Sequence, residues 1–421
     1  MAAVDGARRK QFCGPVPRQI LRRAYGLLPR SARRRAADAL IRLKVPSAEA
    51  AQVPPSDGRV TVAGLFSSPT GIGEGARLCA ERLAEIGYRV GAVDLTADIG
   101  ADGGLAFAHP GVAGGDIGGP LVVHLNPRAF QAALFHPFRA TLGERKVIAN
   151  WVWEAPDLPP SWCPAFRMAH EVWAPSPFVA EAVAKAGCRT PIRQVAYALR
   201  IPPEPRWDHA GGAGRGPTVL LVFAYESGFD RKNPIAGVEA FTRAFAPGDG
   251  ATLIVKSRGR SVSGNPERRL AAAIAGRPDI VVRHGDLGQD AYDELLQSAD
   301  VLLSLHRAEG FGLPLADAML RGKPVVATAW SGNLAFMRED VACLVTARTC
   351  KLTDEKDAYR ALDSVWADPD VDEAAAWLRR LTDPALRERI GRAARAHVIA
   401  CVGRDSFAAA VRPSLGDPPA K

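Results

Sequence analysis

Short apolar runs bounded by turn residues alternate with amphipathic stretches along most of the chain, the pattern of strands joined by helices in an α/β fold. Arg59-Val-Thr-Val-Ala-Gly-Leu-Phe reads as a first strand, Ser67 to Gly75 as a Gly-rich turn, Ala76 to Ile86 as a helix and Tyr88-Arg-Val-Gly-Ala-Val as the next strand. This βαβ unit opens a doubly wound sheet, and such sheets bind ligands where the turns leave the carboxyl ends of the strands. Pro120-Leu-Val-Val-His-Leu, Lys146-Val-Ile-Ala-Asn-Trp-Val-Trp and Glu171-Val-Trp-Ala-Pro-Ser continue it, the last before a helix from Pro177 to Ala186.

Pro and Gly dominate residues 202–217 with no visible period, so a linker is expected there. Beyond it the βα grammar starts again. Val219-Leu-Leu-Val-Phe-Ala-Tyr is a strand, and Asn233 is a candidate cap for a helix that starts at Pro234 and turns Ile235, Val238 and Phe241 to one side. Thr252-Leu-Ile-Val-Lys and Ile280-Val-Val-Arg-His are further strands, and a charged helix spans Asp383 to Val398. The expected division is an extension over 1–55, a first domain over 56–203, a linker over 204–217, a second domain over 218–400 and a tail over 401–421. A chain of 421 residues supplies enough apolar surface for two such cores.

Charge sets the extension apart. The net charge of +9 belongs to residues 1–46, where twelve Arg or Lys stand against Asp5 and Asp38, and the remainder of the chain carries −1. A neutral body argues against nucleic acid as a partner. Ile20, Leu21, Leu27, Leu28, Leu40, Ile41 and Leu43 are interleaved with the cations, so residues 8–44 read either as an amphipathic surface for an anionic membrane or as a solvated extension. Seven scattered cysteines without a Cys-x-x-Cys pair indicate neither a disulfide framework nor a zinc site, which fits a reducing cytosol. No apolar run reaches the roughly 18 residues of a membrane-spanning helix, and no signal-peptide core is visible. A cytoplasmic location is expected, either free or peripheral on the inner face of the cytoplasmic membrane.

The densest chemistry lies between Asp300 and Asn333. Asp300-Val-Leu-Leu-Ser-Leu reads as a buried strand, Gly310 and Gly312 permit a sharp turn, Pro314 suits the first position of a helix, Gly322 suits its end, and Val325-Val-Ala-Thr-Ala resumes as a strand. The helix N-terminus, entered through Gly310, Phe311, Gly312 and Leu313, offers amides and a positive dipole end to a diphosphate. Asp317, placed in the first turn, either complements the dipole or accepts from a ribose diol; Glu309 is either a turn residue or a sugar contact. Arg231 and Lys232 read as surface charge or as a clamp on that diphosphate. In the first domain, Gly71 and Gly73 border the turn after the first strand. His124 ends another strand as a core or a reacting histidine, and Asn126 beyond it cannot act as a base. Trp153 and Glu154 fall in a segment whose aromatic rings and carboxylate suit either a sugar or a core. No His/Cys cluster calls for a metal.

These segments resemble the retaining glycosyltransferases with two Rossmann-like domains (the GT-B fold, glycosyltransferase group 1, family 4-like), whose signature is two Glu separated by seven residues. Here Glu309 is the first and Asp317 stands for the second, with its reach shortened by one C–C bond, roughly 1.5 Å. Ser227-Gly-Phe-Asp-Arg-Lys-Asn-Pro, Trp330-Ser-Gly-Asn333 and Trp366-Ala-Asp-Pro-Asp-Val-Asp372 are similar to a bacterial polysaccharide branch, and the resemblance covers residues 58–400. Relatives carry the Arg of their cationic pair several residues earlier, where this chain has Tyr225 and Glu226, so Arg231 stands in beside Lys232. Many relatives have His where Asn126 stands.

The resemblance implies transfer from a nucleotide-sugar donor to a hydroxyl of a glycan or lipid-linked acceptor, without cofactor or metal. Glu309, Lys232 and Arg231 would be catalytic, and Gly310, Phe311, Gly312, Leu313, Asp317, Gly71 and Gly73 would face the donor. Asn126, His124, Trp153 and Glu154 would face the acceptor or the sugar. Two rivals remain: an isomerase on the same fold, and a non-catalytic nucleotide-sugar-binding or membrane-associated assembly protein.

Overall fold

The structure is a computed structural model that describes residues 48, 57–135, 138, 144–205, 216–261, 264–353, 359 and 362–419. The basic segment 8–44, with its membrane reading, and most of the expected linker lie outside the described residues.

The first domain runs β1 (Arg59–Gly64), α1 (Gly71–Glu85), β2 (Arg89–Asp94), β3 (Val112–Gly114), β4 (Leu121–His124), α2 (Pro127–Phe135), β5 (Val147–Asn150), β6 (Glu171–Ala174), α3 (Pro177–Lys185) and β7 (Ile192–Gln194). Its strands form a seven-stranded parallel sheet in the order β3-β2-β1-β4-β5-β6-β7. β4, β5 and β6 are buried at every position, as strands with both faces covered must be.

The second domain runs β8 (Thr218–Ala224), α4 (Phe229–Lys232), α5 (Pro234–Ala244), β9 (Thr252–Arg258), α6 (Asn265–Ala273), β10 (Ile280–His284), α7 (Gln289–Ser298), β11 (Val301–Ser304), α8 (Leu313–Leu320), β12 (Val325–Thr328) and β13 (Cys343–Val345). Its parallel sheet has the order β10-β9-β8-β11-β12-β13. Both sheets reverse direction beside their first strand, between β1 and β4 and between β8 and β11, and these switch points open the crevices in which doubly wound sheets hold ligands.

After β13 the chain makes an antiparallel ribbon, β14 (Ala347–Lys351) and β15 (Val365–Pro369), then α9 (Val371–Arg380), α10 (Pro384–Val402) and α11 (Arg404–Leu415). Residues 404–415, expected within a tail, instead place Phe407, Ala408, Val411 and Leu415 in the first domain's core with Val60, Val62 and Leu83. Spacing of four residues puts Phe407, Val411 and Leu415 on one helix face, and Lys146 Nζ donates to Ser414 O at 2.9 Å.

Two local expectations are corrected. α1 starts at Gly71 rather than Ala76, because Thr70 caps it by accepting from Gly73 N at 3.3 Å, so Gly71 and Gly73 are helical residues and not a turn. Glycine is needed at 73 for contact: a Cβ there would lie 2.5 Å from the carbonyl oxygens of Leu65 and Ser68. Asn233 does not cap α5 with its side chain; it adopts φ 49°, ψ 50°, and its Nδ2 donates to Leu305 O at 3.0 Å, tying α5 to the end of β11.

Candidate active site

Four charged side chains meet beyond the carboxyl ends of β8 and β11 in the second domain and of β5 in the first. Lys232 ends α4 beyond β8, Glu309 follows β11, and the adjacency of β8 and β11 brings them together: Lys232 Nζ donates to Glu309 Oε1. Arg231 Nη1 lies 3.4 Å from Glu309 Oε2, and Arg231 Nη2 lies 3.7 Å from Glu154 Oε1 of the first domain. Burial acts to raise the Glu309 pKa, but Lys232, Arg231 and His306 outweigh it and hold the group at about 2. The cluster is therefore two acids balanced by two cations. Arg231 is 4% exposed and spends its guanidinium on Ser227 O and Ala308 O as well, so it stiffens the wall of the site while Lys232 holds its outer face.

The segment 309–313 is shaped by glycine. Gly312 has φ 98° and precedes α8, whose second residue is Pro314. Gly310 packs against the first domain, where an added Cβ would lie 2.3 Å from Val152 Cγ2, and its carbonyl accepts from Ser176 Oγ at 2.7 Å. Phe311 is buried between Tyr197 and Phe336 and so packs between the domains. Leu313 is half-buried at the start of α8, four residues beyond Glu309, at the end of the helix that carries the positive pole of its dipole. Gly322, at φ 68°, closes α8, with Gly322 N donating to Met319 O and Lys323 N to Ala318 O.

Asp317 is the fifth residue of α8, not a first-turn residue, because the helix begins at Leu313. Its Oδ1 pairs with Arg321 Nη1 at 3.0 Å, and Arg321 also reaches Asp293. Burial pushes its pKa up to about 6, with Glu74 of α1 and Asp293 adding to the rise and Arg321 opposing it. Gly71 faces the same helix from the first domain; a Cβ there would lie 3.9 Å from Leu313 Cδ1, in van der Waals contact.

The first-domain candidates divide. His124 is buried beside Gly64, its Nε2 has no hydrogen-bond partner among the described residues, and burial takes its pKa down to about 3, so it is a core histidine. Trp153 is 3% exposed, stacks on Tyr359 with centroids 4.9 Å apart and meets Trp162 edge-on at 4.5 Å, which makes it core rather than a sugar platform. Asn126 Oδ1 accepts from Val152 N at 3.1 Å and fixes the exit of β5. Glu154 alone joins the charged cluster.

Tyr359 escapes sequence reasoning, and the Ser-Gly-Asn run that the sequence located gains a role. Tyr359, carried between β14 and β15, donates its hydroxyl to Glu154 Oε2 at 2.8 Å. Ser331 sits at φ 80°, ψ −147°, a conformation rare for serine, and its Oγ accepts from Glu309 N at 2.8 Å. Gly332 N donates to Glu309 O at 2.8 Å, and Asn333 Oδ1 meets His306 Nε2 at 3.1 Å. The Ser-Gly-Asn run thus fixes the backbone that presents Glu309. The spacing Asp368-Pro-Asp370-Val-Asp372 could suggest a metal motif, but Asp370 caps α9, Asp368 pairs with Arg307 and Asp372 with Arg243. Among the described residues no group of three or more His, Cys, Asp or Glu is placed to hold a metal, and no helix is long and apolar enough to cross a membrane.

Comparison with known proteins bears on the fold. The fold resembles HepE of Anabaena, solved with UDP-glucose, at TM-score 0.60 and 15% identity over 85% of this chain and 99% of that one. It resembles WaaG, a glycosyltransferase involved in lipopolysaccharide biosynthesis, at TM-score 0.56 and 15% identity over 85% and 100%. TarM of S. aureus follows at 0.54 and 12% identity over 70% of this chain, which spans 55% of TarM. At such identities the likeness is one of fold, and the two Rossmann-like domains are a GT-B pair. No curated protein matches the sequence. Residues 178–409, more than half the chain, match the family described as Family 4 Glycosyltransferase in conflict systems, and the chain belongs to that family.

Proposed function

We propose that this glycosyltransferase moves a sugar from a nucleoside-diphosphate sugar to a hydroxyl of a growing polysaccharide or lipid-linked glycan, with retention at the anomeric carbon and without a metal. The supporting observation is the Lys232–Glu309–Arg231–Glu154 cluster at the carboxyl ends of β8 and β11, with α8 starting four residues beyond Glu309. A diphosphate entering the cleft meets the α8 amides and the Lys232 ammonium, and it exchanges the Lys232–Glu309 pair for a Lys232–phosphate pair. Glu309, released from the ammonium, turns to the hydroxyls of the donor sugar. Gly310, Phe311, Gly312 and Leu313 shape the diphosphate seat, with Gly71 and Gly73 opposite, and Asp317 lies one turn along α8 on the ribose side.

In the reaction the C1–O bond to the diphosphate breaks and a C1–O bond to the acceptor forms on the same face. The acceptor proton passes to the departing phosphate oxygen, whose charge Lys232 and the helix amides stabilise. Asn126 cannot take that proton, and His124 is sealed from it. The likeness to HepE solved with UDP-glucose supports a nucleotide-sugar donor, and the likeness to WaaG supports a glycan acceptor.

The test is nucleotide release from a panel of UDP-glucose, UDP-galactose, UDP-N-acetylglucosamine and GDP-mannose, with and without EDTA, for the wild type and Lys232→Ala. Release from one donor that survives EDTA and is lost in the variant supports the reading. Binding without release from any donor, with added glycan acceptors, points to the non-catalytic alternative.

A further inference from the structure

The first domain has a cavity of about 170 Å³ that none of the cleft residues lines. It lies at the carboxyl end of β1 and β2 beside β3, at the outer edge of the sheet. Phe66 and Phe107, with ring centroids 4.8 Å apart, give it aromatic walls. Asp94 brings a carboxylate, which Thr96 and Ser67 hold ionised. His109 brings a donor: its Nδ1 accepts from Gly111 N at 3.2 Å, which places the proton of the neutral ring on Nε2. Leu105, 42% exposed, forms the rim.

Aromatic faces for C–H groups, a carboxylate edge left to accept from one hydroxyl beyond its bonds from Thr96 and Ser67, and an imidazole donor are equipment for one pyranose ring. We infer that this cavity is a remote acceptor subsite, holding a sugar residue of the acceptor other than the one that reacts. The inference rests on the proposed glycosyl transfer and names what the first domain binds. Trp153 and His124 are unavailable for that purpose, since both are core residues. The link to the cleft is the chain itself. Ser67 lines the cavity, and Gly71, four residues on, faces Leu313 of the donor helix, a path of at most about 14 Å. A sugar in the cavity therefore lies a short oligosaccharide away from the anomeric carbon, and the acceptor must have more than one sugar unit.

Saturation-transfer NMR on the full chain reads this without turnover. The probes are the methyl glycosides of glucose, galactose, mannose and N-acetylglucosamine, each with and without UDP. At least one glycoside should receive saturation in the presence of UDP, and the signal should fall five-fold or more in Asp94→Asn and in Phe107→Ala. UDP affinity should stay within two-fold of wild type in both variants. Absence of signal from every glycoside, signal displaced by UDP, or signal unchanged in Asp94→Asn overturns the subsite. Failure of UDP and of every donor in the panel to bind the wild type would instead remove the transfer reading beneath it.

Discussion

Replacing Glu309 by Gln separates binding from chemistry, because the same carboxylate that should hold the donor sugar also occupies the cation that should hold the diphosphate. Glu309 is buried and paired with Lys232, which is half-buried, with Arg231 3.4 Å from the second carboxylate oxygen. A phosphate oxygen hydrogen-bonded to Lys232 Nζ would lie about 5–6 Å from the Glu309 carboxylate, two hydrogen-bond lengths through a shared nitrogen. Like charges about 6 Å apart repel by about 3 kcal/mol at an effective dielectric constant near 20. Glu309→Gln removes that repulsion. Solvent in an open cleft reduces the gain, so UDP should bind about ten-fold tighter, about 1.4 kcal/mol. The free variant, with buried Arg231 and half-buried Lys232 left against one acid, should be less stable, by less than the roughly 3–5 kcal/mol of a fully buried broken pair. UDP should then raise its Tm by more than it raises that of the wild type. Nucleotide release should fall about 10²–10³-fold, the cost of removing one transition-state contact. Titration calorimetry with UDP and thermal unfolding with and without UDP give both numbers. A Kd unchanged or weaker in Glu309→Gln would refute the assignment of Lys232 to the diphosphate.

Asp317→Asn should weaken UDP binding while leaving inorganic pyrophosphate binding within two-fold, since only UDP offers a ribose diol; equal losses for both ligands would count against the ribose contact. The folded pKa of Asp317, about 6, lies above its ordinary 3.8, so the folded chain binds a proton that the unfolded chain does not between these values, and this stabilisation is lost as pH rises through 6. The Tm of the wild type relative to Asp317→Asn should therefore fall between pH 5 and pH 8, and a pH-independent difference would contradict the raised pKa. Tyr359→Phe keeps the stack on Trp153 but removes the hydroxyl from Glu154; turnover should fall about ten-fold, the worth of a hydrogen bond to a charged group, with UDP affinity unchanged. Gly310→Ala should cost more than about 2 kcal/mol of stability and most of the activity, because its Cβ would overlap Val152 Cγ2; a wild-type Tm would show that the domains do not pack there.

Apolar periodicity located the strands that fix both switch points, and turn residues located the ends of α8, because these signals are local. Glu309 and Lys232 could each be picked out, but their contact spans 77 residues and depends on β11 lying beside β8. Tyr359 reaches Glu154 across 205 residues from a ribbon whose strands carry no clear alternation, so no window of sequence could connect them. Gly73 reads as a turn residue from its neighbours alone; its true constraint is the approach of the Leu65 and Ser68 carbonyls. Trp153 and His124 stay open between site and core in the sequence for the opposite reason: their chemistry is visible there, and their burial is not. The helix α11 is not legible as part of the first domain because its apolar face pairs with strands more than 300 residues earlier, as the Tyr88 bond to Gly416 O illustrates.

The central claim, transfer with retention from a nucleotide sugar, is tested most directly by the anomeric configuration of the product. A donor with an α-linked sugar, followed by proton NMR of the purified product during turnover in EDTA, should give an α-glycoside with its small anomeric coupling. A β-glycoside, or turnover abolished by EDTA and restored by a divalent metal, would contradict the account.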